Sequence, residues 1–139
     1  MLNKDQKRGL TIALRIVEEN MQYVEQVFNN GTYDGILYDI KCNIDEGVKG
    51  ELFKRVSLIK DHIKALSKRF ALEKELREPA KEILGKLTSC WSILEEAKAR
   101  KLKRYGIVAN ELEDVLDPNL NGIIDLMFDI ERLLLEAPK

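Results

Sequence analysis

Apolar residues recur along most of the chain at helical spacing. Leu10, Leu14, Val17, Met21, Val24 and Phe28 are separated by four and three residues in turn, which holds them on one stripe of a helix. A second stripe has the same rhythm through Leu52, Val56, Ile59, Ile63, Leu66 and Phe70. A third runs through Ala80, Leu84, Leu87, Trp91 and Leu94, widened by Ile83 and Cys90. The last is carried by Leu120, Ile123, Ile124, Met127, Ile130, Leu133 and Leu134. Four amphipathic helices joined by short connections predict an all-α fold, an antiparallel four-helix bundle forming one domain over 1–139.

Local signals set the ends of these helices. Asn3 with Gln6 three residues later fits a capping box. Gly31 suits the left-handed position that follows a helix. Pro79 disfavours helical geometry at Glu78, so the second helix gives way to the third somewhere from Ala71 to Pro79. Gly106 is expected to close the third helix, with Leu102 and Ile107 as the apolar pair beside a Schellman turn. Glu111 to Leu116 reads as a short helix. Asp117-Pro118 then predicts a break, with Asp117 capping a new helix and Pro118 at its first position.

One stretch fits two periods. Ile36, Tyr38, Ile40, Cys42 and Ile44 alternate with mostly polar neighbours as a strand would, while Ile36, Ile40 and Ile44 also share a helical face. An extra short element near 33–46 is therefore either a helix or a lone strand. A lone strand would imply pairing with another chain.

Composition removes several classes of function. The chain has 139 residues, 45% of them hydrophobic, which supplies a core and excludes general disorder. Its 23 basic and 24 acidic residues nearly cancel, which argues against a whole-protein polyanion binder. Charge is unevenly placed: 46–70 carry seven basic and three acidic residues, whereas 106–139 carry two and eight. Complementary flanks of neighbouring helices explain such a split, as do solvated faces. No stretch resembles a signal peptide or a membrane span, and two cysteines in a chain of this length are expected to stay reduced. The protein is expected to be cytoplasmic.

Candidate chemistry is sparse. His62 is the only histidine, and Ile59 stands three residues before it, so no Glu-x-x-His pair exists for a di-iron site. Histidine phosphotransfer domains are bundles of similar size whose acceptor looks like H-x-x-K-G. Here Lys64 comes one residue early and Leu66 replaces the small residue. Cys90 beside Trp91 on an apolar stripe is expected to be a buried, inert thiol.

Three constellations remain. Asp117, Asn119, Asn121 and Asp125 match the opening of an EF-hand calcium loop, but Phe128 stands where the bidentate glutamate belongs. Glu75 with Glu78, and Glu111 with Asp114, resemble the E-x-x-E and E-x-x-D carboxylate pairs of MazG-type nucleotide pyrophosphatases. That resemblance implies an all-α enzyme holding magnesium. Lys98, Arg100, Lys101, Lys103 and Arg104 with Tyr105 form a basic turn suited to phosphates, or simply to the negative end of a helix dipole. Nucleic acid is not the expected partner.

The order Gly35-Ile36-Leu37-Tyr38, Phe70-Ala71-Leu72, Leu87-Thr88-Ser89-Cys90-Trp91, Leu102-Lys103-Arg104-Tyr105-Gly106 and Leu116-Asp117-Pro118 resembles small uncharacterised bacterial helical-bundle proteins. That resemblance implies one helical fold and carries no activity, cofactor or site residue with it. The expected function is non-enzymatic: self-association, or docking of a protein partner. Ile12, Ile16 and Val27, apolar yet off the main stripe, and the apolar run Ile36–Ile44 support it.

Overall fold

The computed structural model describes residues 1–136. Its elements are, in order, α1 (Lys4–Asn30), β1 (Tyr33–Asp34), β2 (Asp39–Ile40), α2 (Glu46–Phe70), α3 (Pro79–Glu96), α4 (Ala99–Leu102), a 3₁₀ turn (Lys103–Tyr105) and α5 (Leu112–Glu136). The protein is mostly helical, as the periodicity predicts. Its contacts gather into two compact units, one up to Glu75 and one from Leu76 onward.

The first unit is a hairpin of α1 and α2. The capping box forms as expected: the Asn3 carboxamide oxygen accepts from the Gln6 N–H at 2.8 Å, and the Asn3 N–H donates to the Gln6 side chain at 3.0 Å. Gly31 closes α1 at φ 67° with its N–H on the Val27 carbonyl. Asp45 caps α2 by accepting from the Gly47 and Val48 N–H groups. Ala71, at φ 52°, ends that helix in the left-handed region, a conformation unusual for a residue with a Cβ.

The helices run antiparallel, since Phe28 stacks on Phe53 at 5.3 Å and Arg15 reaches Glu75 at 3.3 Å. Their seam is not centred on the predicted stripes. In heptad terms the two buried residues, Phe28 of α1 and Val56 of α2, stand at a positions, in register with half-buried Leu14 and Met21 and with half-buried Ile63 and Phe70. Thr11, Glu25, Phe53, Lys60 and Ser67 fill the adjoining e positions. Lys60 confirms this phase by reaching across to Glu25 at 2.9 Å and to the Gln22 side chain at 3.1 Å. The d positions, Leu10, Val17 and Val24 with Leu52, Ile59 and Leu66, are rotated to the flank and only partly covered. Within an antiparallel pair, flanks of the same rotational sense fall on the same side. The hairpin therefore presents all six on one face.

The connection between α1 and α2 is a small β-hairpin. Tyr33 pairs with Ile40 and Asp34 with Asp39, around a turn closed by the Gly35 N–H on the Tyr38 carbonyl at 3.1 Å. Neither a helix nor a lone strand forms here: the strand pairs within its own chain. A Cβ on Gly35 would lie 2.3 Å from the Tyr38 carbonyl oxygen, so only glycine fits. The sequence signal for this turn is Gly35 in a four-residue loop between two short strands.

The second unit packs α3 against α5, again antiparallel. Trp91 contacts Phe128 with ring centroids 6.1 Å apart, while Asp117 lies beside Ala99. Leu120, Ile124 and Ala99 are its buried residues.

Three local expectations need correcting. The third helix stops at Glu96 rather than running to Gly106, and a short helix and a 3₁₀ turn follow it. Ile107 is fully exposed, so the Leu102–Ile107 contact of a Schellman turn is not made. α5 is continuous from Leu112, with Pro118 inside it, so no break separates 111–116 from the final helix. Pro118 sits in the second turn, where its missing N–H leaves only one carbonyl near the helix start without its intrahelical bond.

Candidate functional site

The cation-binding candidates sit on a helix instead of a loop. Asp117, Asn119, Asn121 and Asp125 all belong to α5. Spaced by four, Asp117, Asn121 and Asp125 share one side, and Asn119 faces away with its side-chain amide on the Val115 carbonyl at 2.9 Å. A calcium loop wraps its ligands around the ion with a sharp non-helical turn at the sixth residue. Here that residue, Gly122, is helical.

Asp117 has a different task. Its carboxylate accepts from the Ala99 N–H at 2.9 Å, fixing the start of α4 against α5. Replacing a capping carboxylate with alanine costs about 1–2 kcal/mol. Asp117→Ala is thus expected to lower the unfolding free energy by that amount, Asp117→Asn to lower it less, and added calcium to leave the wild-type value unchanged. Denaturant titrations of the three proteins check this.

The paired carboxylates are not gathered either. Glu75 is engaged by Arg15 in the first unit. Glu78 occupies the N-cap position of α3 without a side-chain cap bond. Glu111 precedes α5 and Asp114 lies in its first turn, where acidic side chains suit the helix dipole. Among the described residues no group of three or more His, Cys, Asp or Glu side chains is placed to share a metal ion.

The basic residues form a clasp. Lys98 pairs with Glu95 at 3.0 Å, and Arg104 with Glu96 at 3.2 Å while also donating to the Glu96 carbonyl. Lys101 lies 3.9 Å from Glu96. Arg104 covers the Tyr105 ring at 5.1 Å. Three of the five cations are thus partly neutralised by two glutamates of α3. Beside the clasp is an open apolar notch of about 440 Å³, walled by Ile93, Ala97, Leu102 and Tyr105.

Cys90 is exposed, contrary to the buried thiol its stripe suggests, and Cys42 is half-buried; neither is in a disulfide. Its position explains the difference, because Ile83 and Cys90 lie on the α3 flank beyond the seam with α5. His62 is exposed on α2. Among the described residues no helix is long and apolar enough to cross a membrane.

What the structure does display is apolar surface. In the first unit it includes Val17 and Ile59 of the d-position face, whose other members are half-buried. In the second, Ile123, Leu126, Ile130 and Leu133 of α5 and Ile83 of α3 are all exposed. Ile36 and Leu37, at the β-hairpin tip, are 99% and 94% exposed. No family model matches the chain, and comparisons with curated proteins and with solved structures return no match.

Proposed function

We propose that this chain is a cytoplasmic, non-enzymatic helical-bundle module that works by self-association or by docking a protein partner. The observation that carries this reading is the packing phase of the first hairpin. Its most buried residues stand at a positions and its d-position face is only partly covered, as in two adjacent members of an antiparallel four-helix bundle before the other pair is added. A hairpin isolated in water would instead turn Leu10, Val17, Val24, Leu52, Ile59 and Leu66 toward its own seam, because that buries more apolar area.

The second unit supports the same reading. α5 is apolar over well more than the one stripe that α3 covers, and a helix apolar on two adjacent sides belongs inside a multi-helix assembly. Free thiols at Cys42 and Cys90 fit a reducing compartment. A second copy of the chain is the first partner to test, since both surfaces are then present in one sample.

Native mass spectrometry across a concentration series tests this directly. The expected spectrum shows multiples of the 16.0 kDa chain, rising with concentration and carrying no added mass. A chain that stays monomeric throughout would end the self-association reading and leave only docking of a different protein, and one that retains a metal or nucleotide adduct would contradict the proposal.

A further inference from the structure

Four-helix packing engages a, d, e and g positions and leaves b, c and f facing outward. α1 departs from the polar composition expected there. Ile12 and Ile16, together with Tyr23, are exposed and lie on the side of the helix opposite its seam with α2. This row is distinct from the d-position face and is not covered by it.

The row has an internal symmetry. Ile12 and Ile16 lie two residues before and after position 14, and Asp5 and Tyr23 lie nine residues before and after it. Arg8 and Glu19 are six before and five after, on one shared edge of the row. Two antiparallel copies of α1 related by a twofold axis at this position would place Ile12 on the second copy's Ile16, twice. Each Tyr23 hydroxyl would meet the second copy's Asp5 carboxylate.

Edges of the same rotational sense come together in an antiparallel pair, and one residue of offset is a rise of only about 1.5 Å. Each Arg8 would therefore face the second copy's Glu19. In a parallel pair these edges would fall on opposite sides of the contact and neither Arg8–Glu19 pair would form, so charge favours the antiparallel arrangement.

From this self-complementarity we infer that the outward row of α1 is an isologous interface with a second copy of this chain. The inference rests on the self-association proposed above and names the surface and register that mediate it. A single helix row is smaller than the standard interface of about 1,600 Å², so the dimer is a weak, reversible one. It is sensitive to salt, because two of its contacts are exposed ion pairs.

Charge reversal provides the test. Arg8→Glu and Glu19→Arg, each on the exposed helix surface, are expected to weaken dimerisation about tenfold in sedimentation equilibrium, through repulsion repeated twice across the axis. The double variant R8E/E19R is expected to return to within about threefold of wild type, because the pairing is restored with its signs exchanged. Ile12→Ser with Ile16→Ser abolishes the dimer while circular dichroism stays helical.

Wild type that associates while the reversals leave its affinity unchanged, or a double variant that is not rescued, would overturn this interface and leave the interaction-module reading intact. Wild type that is monomeric at every concentration would overturn this interface together with the self-association reading.

Discussion

Replacing Val56 with aspartate is expected to abolish cooperative unfolding of the α1–α2 hairpin. Val56 is 4% exposed and is the one buried residue of α2. It lies in the seam with α1, where the neighbouring cation, Lys60, is already engaged by Glu25. The substitution removes the buried methyl groups and forces either a charge or a protonated acid into an apolar contact. Those terms together amount to about 4 kcal/mol or more. A domain of this size has only about 5–15 kcal/mol in all, and the seam has few other buried side chains to hold it. Circular dichroism with urea should show a low, broad transition for V56D. Val56→Ile, which keeps shape and polarity, should stay within about 1.5 kcal/mol of wild type. A V56D protein that unfolds as sharply as wild type would mean that the a/e seam is wrongly placed.

The helices themselves were legible in the chain because their signal is local and repeated. Six apolar residues spaced by four and three leave no competing period, and Asn3 with Gln6 needs nothing but each other to cap α1. The α2–α3 boundary falls at Ala71–Glu78, inside the interval that Pro79 dictates.

What was not legible depends on partners remote in sequence. Asp117 next to Pro118 has the local chemistry of an N-cap, yet its carboxylate is taken by Ala99, eighteen residues earlier, and the helix continues through the proline. The third stripe continues into Lys98–Tyr105, but pairing of Arg104 and Lys101 with Glu96 folds that segment back on the end of α3. The Ile36–Ile44 ambiguity was resolvable, since Gly35 marks a short hairpin loop and Tyr33-Asp34 supplies the missing strand.

The candidate site was legible in kind rather than in place. Ile12 and Ile16 stood out as apolar residues off the stripe, whereas exposure of Ile36 and Leu37 at a tip required the turn itself. Stripe position also misjudged Cys90, because a stripe gives the apolar side of a helix but not how much of it a single neighbour covers.

That distinction leads to the second large effect. If the module works as proposed, the d-position face is packed against protein and not bathed in water. Ile59 belongs to that face and is 37% exposed; Leu58, its neighbour in sequence, is 53% exposed and points away from it. On exposure alone the two should respond alike to replacement by serine. If the face is packed, Ile59→Ser removes a buried side chain and leaves a polar group in its place, a cost of about 2–3 kcal/mol. Isoleucine and serine have similar helix propensities, so no helix term offsets this. Leu58→Ser, at a solvated position, should cost only a few tenths of a kcal/mol from propensity.

Urea unfolding of wild type, I59S and L58S, read as midpoints at a common slope, is the decisive measurement. The packed face predicts that I59S is less stable than L58S by about 1.5 kcal/mol or more. Equal midpoints for the two variants, within about 0.5 kcal/mol, would contradict it.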